Sequence, residues 1–103
     1  MTEHWQGTVF EALTKLPGPE GERFVELFRK GTVSIELYAP RGTDPQQPHD
    51  QDEIYVVFTG EGTFVAGETR TAFGPGDALF VPAGMVHRFE DFTDDLAAWV
   101  IFV

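Results

Sequence analysis

The chain of 103 residues contains no cysteine. That removes disulfide frameworks, thiolate zinc sites, iron–sulfur clusters and thiol catalysis. Basic residues are scarce: Lys and Arg number 7 against 17 Asp and Glu, for a net charge of −10. Phosphate contacts need a basic face, so nucleic acid is excluded as a partner. The same field repels an anionic membrane surface. A small anionic substrate is not excluded, because one bound ion outweighs distant surface carboxylates. No apolar run approaches the ~20 residues of a membrane helix. The opening residues, MTEHWQGTVFEALTKL, have neither a basic n-region nor an apolar h-region, so a cytoplasmic location is expected. Histidine is sparse too: His4, His49 and His87 are the whole set.

What is present is a globular composition, 42% hydrophobic with 14% aromatic residues. The length predicts one domain spanning 1–103. Gly and Pro are spread along the chain and separate short β-branched and aromatic runs. These runs are Thr8 to Leu13, Arg23 to Arg29, Thr32 to Ala39, Asp52 to Thr59, Gly62 to Ala66, Thr69 to Phe73, Ala78 to Val81, Val86 to Glu90 and Leu96 to Val103. Their spacing predicts an all-β fold. Lys30-Gly31, Gly60-Glu61-Gly62 and Gly67-Glu68 read as hairpin turns. Pro19 to Lys30 is the one helical candidate, and its alternation fits a strand better. Pro40 to His49 is irregular, with three prolines. The last run, LAAWVIFV, is apolar on both faces and must be covered twice. A second subunit supplies the other cover if the protein is a homodimer; a second sheet of the same chain is the alternative.

Gln47, His49, Gln51, Glu53 and Tyr55 share one strand parity if the chain runs extended through Pro48. Ile54, Val56 and Phe58 form the opposite, apolar face, which should meet a core. The polar face then borders solvent or a polar cavity. His87 follows the stretch GPGDALFVPAGMVH. Two imidazoles and a carboxylate form a good ligand set for a first-row divalent ion and leave positions open. Spacing alone does not bring His49 and His87 together.

These residues resemble the cupin superfamily. Its first motif, G-x5-H-x-H-x3,4-E-x6-G, is matched over about 47–60 by His49, Glu53 and Gly60. Its second, G-x5-P-x-G-x2-H-x3-N, is matched over about 76–91 by Gly76, Pro82, Gly84 and His87. Gln47 stands where the first histidine is common, and Asp91 replaces the usual Asn. The resemblance implies an antiparallel jelly-roll β-barrel, a cupin-like double-stranded β-helix. It also implies one divalent transition metal ion, either iron, manganese, nickel or zinc, held by His49, Glu53 and His87. Gln47 is a candidate fourth ligand through its amide oxygen. Glu53 doubles as a candidate catalytic base when loosely ligated.

Each reading has an ordinary counterpart. The three polar residues can hydrogen-bond one another without metal. Tyr55 most often keeps its hydroxyl at the surface. Phe64, Phe80, Phe89 and Trp99 are candidates to line an apolar pocket. Arg88 has the wrong parity for the site, His4 lies in a terminal arm, and the acidic run from Glu90 to Asp95 lacks the rhythm of a calcium loop. The functional expectation is a metal-dependent cupin acting on a small organic molecule as an oxygenase or isomerase. The alternative is a non-catalytic small-molecule-binding barrel with structural or absent metal. A metal-free epimerase ranks last, because it needs a basic pocket.

Overall fold

The computed structural model describes residues 4–103. One short helix, α1 (Val9–Leu13), precedes eight strands: β1 (Phe24–Lys30), β2 (Val33–Tyr38), β3 (Glu53–Thr59), β4 (Gly62–Ala66), β5 (Thr69–Phe73), β6 (Ala78–Val81), β7 (His87–Glu90) and β8 (Ala97–Phe102). Five strands form one sheet in the order β1-β2-β8-β3-β6, and three form another in the order β5-β4-β7. All pairings are antiparallel. The all-β expectation holds, with the helix as the exception. The principal extents of 44 × 27 × 27 Å describe an elongated body.

The helix occupies the run expected to be the first strand. Thr8 Oγ1 accepts a hydrogen bond from the Glu11 backbone N–H at 3.1 Å. Thr8 and Glu11 stand at the spacing of a capping box, and this local signal outweighs the strand preference of Val9 and Phe10. Val9 and Ala12 then bury against Leu37, Ala39 and Ala97, on the outer face of the large sheet. The later part of Pro19 to Lys30 does form a strand, β1 from Phe24, but its alternation is broken. Glu26 lies opposite Glu36 and Phe28 opposite Ile35, so Leu27 is an extra, bulged residue. A bulge shifts the parity of everything after it. Arg29 therefore joins Phe24 and Glu26 on the inner face, and Phe28 turns outward to stack on Trp5 at 5.4 Å.

Two of the expected hairpins form, across Gly31 and across Gly67-Glu68. The third does not. Gly60-Glu61 joins β3 to β4, which lie in different sheets. Gly60 has φ +97, and a Cβ there would sit 2.6 Å from the Leu96 Cα. Only glycine lets the chain pass Leu96 and cross between layers.

The core lies between the sheets. Tyr38, Tyr55, Val57, Val81, Val100 and Phe102 face inward from the large sheet, and Phe64, Phe73 and Phe89 from the small one. Phe89 meets Tyr55 and Phe73 edge-on, each at 5.1 Å. Such pairs contribute about 0.5–1.5 kcal/mol beyond area burial. In β8, Ala98 and Val100 enter this core, whereas Ala97 is buried on the other side under α1. Part of the second cover expected for β8 therefore comes from the chain's own N-terminal segment. No helix is long and apolar enough to cross a membrane among the described residues.

Candidate metal centre

The site begins with the parity of β3. Glu53 and Tyr55 point inward and are almost fully buried, at 1% and 0% exposure. Ile54 and Val56 point outward and remain only half-buried, and Phe58 is exposed. The apolar face expected to meet a core is thus the outer one. The polar face borders the interior, which is the polar-cavity alternative. The reason is topological: β3 lies between β8 and β6, with its Glu53 face turned toward the small sheet.

His49 lies ahead of β3 in irregular chain, and His87 opens β7 in the other sheet. A turn brings them together. The Gly84 N–H donates to the His49 carbonyl at 2.7 Å, and the Ala83 N–H donates to Asp52 Oδ1 at 2.8 Å. The Pro82-Ala83-Gly84 turn is thereby fastened to the segment that carries His49 just before the chain enters β7. The rings of His49 and His87 lie 5.6 Å apart between centroids.

His49 Nδ1 approaches Glu53 Oε2 at 2.8 Å, and His87 Nε2 approaches Glu53 Oε1 at 2.7 Å. Neither approach has hydrogen-bond geometry, so His49 Nδ1 and both Glu53 oxygens are buried without a hydrogen-bond partner. Buried polar atoms left unpaired are rare and costly. One ligand atom from each of the three residues lies within 4.8 Å of the others, a grouping able to hold a metal ion. Two imidazoles and a carboxylate suit a first-row divalent ion, and a cation among these atoms would satisfy all of them at once. The residues present fit the implied metal.

Burial alone would raise the Glu53 pKa, but the neighbouring His87 and His49 imidazoles outweigh it and hold the carboxyl below its ordinary value. Burial alone would lower His87. Glu53, the Met85 carbonyl and the charge of Asp44 outweigh that and raise it. Both shifts describe a carboxylate that draws a cation toward it.

Gln47 is exposed, whereas Glu53 and His87 are buried. Bends at Asp50 and Gln51 separate Gln47 from β3, so strand parity does not carry from Glu53 back to Gln47. The neighbouring amide, Gln46, is the one hydrogen-bonded in the interior. Its Oε1 accepts from the Tyr55 hydroxyl at 2.7 Å and its Nε2 donates to Asp44 Oδ2 at 2.7 Å. Tyr55, expected at the surface, has its hydroxyl 3.1 Å from His87 Nε2. Shared parity with Glu53 was the signal for Tyr55; nothing in the residue pattern marked Gln46 or Asp44. His4 and Arg88 lie where expected: His4 is exposed, and Arg88 turns away to pair with Glu90 at 2.5 Å. Asp91 follows β7 at φ +52, a left-handed position that Asp tolerates as Asn does.

A cavity of about 280 Å³ opens beside His49. Phe24 and Phe102 form its apolar walls, and Arg29, Ser34 and Glu36 reach it from β1 and β2. Of the expected pocket aromatics, Phe64 and Phe89 belong to the core and Phe80 is exposed at 60%, while Trp99 lines a separate apolar cavity on the outer face with Trp5, Ile35 and Val56. The β1 bulge is what delivers Arg29 to this cavity. Burial raises Glu36 to about 7, reinforced by the charges of Glu26 and Glu53 and opposed by Arg29.

Comparison with known proteins agrees with this architecture. Residues 34–103 match the Cupin domain family. An uncharacterised protein of Streptomyces coelicolor is 36% identical over 81 residues, covering 77% of each chain. A gentisate 1,2-dioxygenase of a Streptomyces species is 33% identical over 70 residues, which is 66% of this chain and 19% of the dioxygenase. A cupin 2 conserved barrel domain protein from Leptotrichia buccalis superposes with a TM-score of 0.67 at 20% identity, covering 78% of this chain and 39% of that one. With both motifs on the inner faces of two antiparallel sheets and the match spanning β2 to β8, the chain belongs to the cupin domain family.

Proposed function

We propose that this cupin holds one divalent transition metal ion through His49, Glu53 and His87 and acts on a small organic molecule entering from the cavity beside His49. The observation that carries the reading is the convergence of three buried ligand groups whose His49 Nδ1 and Glu53 oxygens lack any other partner. In this reading the two sheets are the walls of the family's jelly-roll barrel. A bound ion there would supply Lewis acidity and, if it is iron, the capacity for oxygen chemistry. The partial likeness to a dioxygenase favours oxygenation over isomerisation.

The chain's own residues do the rest. Phe24 and Phe102 exclude water from one side of the substrate. Glu36, with a pKa raised to about 7, is suited to exchange a proton with a substrate at neutral pH. Glu53 serves as a second proton acceptor when one of its oxygens is not engaged by the ion. Gln47 takes no part in the proposed ligand set.

The deciding experiment is elemental mass spectrometry on protein purified without a histidine tag, beside a His49→Ala/His87→Ala variant. About one equivalent of iron, manganese, nickel or zinc, lost in the variant, supports the site. Dioxygen uptake by the iron-loaded protein with a panel of phenolic acids and enediols then separates oxygenase from isomerase. A protein that takes up none of the four ions overturns the metal reading and leaves a metal-free binding barrel.

We also propose that a second copy covers the open part of the large sheet's outer face. The strand registers turn mostly apolar residues outward, with Lys30 and Thr59 as the polar exceptions. A chain of charge −10 has here a face free of carboxylates among the described residues, where a like-charged copy can approach without repulsion. Phe58 packs edge-on against Phe10 of α1 at 5.7 Å, whereas Phe80 on the edge strand β6 remains exposed.

A further inference from the structure

A chain of hydrogen bonds runs from the interior loop to the metal centre, and chemistry assigns the direction of every bond in it. Asp44 is buried, at 8% exposure. Its carboxylate accepts from the Tyr38 hydroxyl, from the Phe89 backbone N–H at 2.8 Å, and from Gln46 Nε2 at 2.7 Å. An ionised carboxylate only accepts. Gln46 must therefore turn its amino group to Asp44 and its carbonyl oxygen to Tyr55. That oxygen also only accepts, so the single Tyr55 proton goes to Gln46 at 2.7 Å and is unavailable to His87.

The other side of His87 is decided as firmly. Its Nδ1 lies 2.9 Å from the Met85 carbonyl oxygen, so Nδ1 carries the proton of the neutral ring. Nε2 is then a bare lone pair. It faces the Tyr55 oxygen at 3.1 Å and Glu53 Oε1 at 2.7 Å, and neither has a proton to give it. With the ring neutral, three electron-rich atoms therefore face one another, an arrangement that a metal cation would satisfy.

We infer that Gln46 and Asp44 are positioning residues: they hold the Tyr55 hydroxyl proton away from His87 and so keep Nε2 open as a metal ligand. This rests on the metal reading proposed above. Without Gln46, the Tyr55 hydroxyl rotates, donates to His87 Nε2 and competes with the ion. Groups that orient a metal-binding histidine in this way typically change affinity 10–100-fold.

The test is a double-mutant cycle with cobalt(II) as the probe, its affinity read from visible absorption against a competing chelator. Gln46→Met should weaken cobalt binding roughly 10–100-fold. In a Tyr55→Phe background, where no hydroxyl proton can reach His87, the same substitution should cost little. Equal losses in both backgrounds, or none in either, would overturn the inference while leaving the metal site standing. A wild-type protein that binds no cobalt overturns the metal reading itself and the inference with it. A measurement on the unmodified protein protects against misfolded variants: imidazole ¹⁵N spectra of the metal-free protein, in alkaline solution where the ring is neutral. They should show His87 protonated at Nδ1 and bare at Nε2, and the opposite tautomer would sink the assignment.

Discussion

The Gly84 backbone N–H donates to the His49 carbonyl oxygen at 2.7 Å. This one bond joins the turn that delivers His87 to the loop that carries His49, in two stretches far apart in sequence. Gly84 has φ +83, a left-handed conformation that glycine adopts without strain. A Cβ there meets nothing within 4 Å, so the requirement is conformational and not steric.

Gly84→Val should therefore destabilise the protein by about 1–3 kcal/mol through backbone strain alone. It should also weaken metal uptake, because the His49 segment loses its anchor. Gly74→Ala is the control. Gly74 has no positive φ, and a Cβ there meets nothing within 4 Å. Thermal melting and cobalt titration of both variants check this; equal behaviour would refute the role of the turn.

Removing the proposed ion should show how much its binding would stabilise the fold. With free metal at one hundred times its Kd, binding adds about 2.7 kcal/mol. For a domain of this size that corresponds to roughly 10–20 °C in Tm. Chelator treatment should lower Tm by that amount, and readdition should restore it. His49→Ala should melt at the same temperature with and without metal.

Glu36 should make stability fall as pH rises through neutrality. Its folded pKa is raised to about 7 from 4.5. The fold therefore prefers the protonated carboxyl. That contribution is complete below the unfolded value, near 4.5, and is lost as pH climbs through about 7. Glu36 is half-buried, so solvent screening reduces the effect to about 1–2 kcal/mol. Urea titrations of the chelated protein at pH 5 and pH 8 should show this difference. Glu36→Gln should flatten it and should be the more stable protein at pH 8.

The outer face of the large sheet makes a prediction about assembly. Phe80 is 60% exposed on the edge strand β6, where a charge costs the monomer little. Phe80→Glu should leave Tm of the monomer nearly unchanged and shift sedimentation velocity from a dimer to a monomer at micromolar concentration. A monomeric wild-type protein would rule out the second copy.

Much of this protein was legible in its residues. The short aromatic and β-branched runs pointed to an all-β domain, and the absence of cysteine excluded thiolate sites. His49, Glu53 and His87 stood at intervals that tied them to a family, and the structure places them together. All eight remaining strand runs begin within one residue of their predicted starts because they are local patterns of β-branched and aromatic residues, bounded by Gly and Pro.

What failed was whatever depended on partners distant in sequence. Thr8 to Leu13 became a helix because the distant floor of Leu37 and Ala97 buries Val9 and Ala12, adding to a local cap bond that the strand pattern concealed. Leu27 became a bulge, and only that bulge turns Arg29 toward the cavity. Gly60-Glu61 read as a hairpin but crosses between sheets past Leu96. Gln46 replaced Gln47 in the interior because Asp44 and Tyr55 hold it there. By itself, the sequence determined which chemistry is available and which segments are extended, since those follow from residue type and local alternation. The tertiary structure alone decided which face of β3 is the inside, which amide meets Tyr55 and how His49 meets His87, because a side chain's direction is set by the sheet that pairs with its strand.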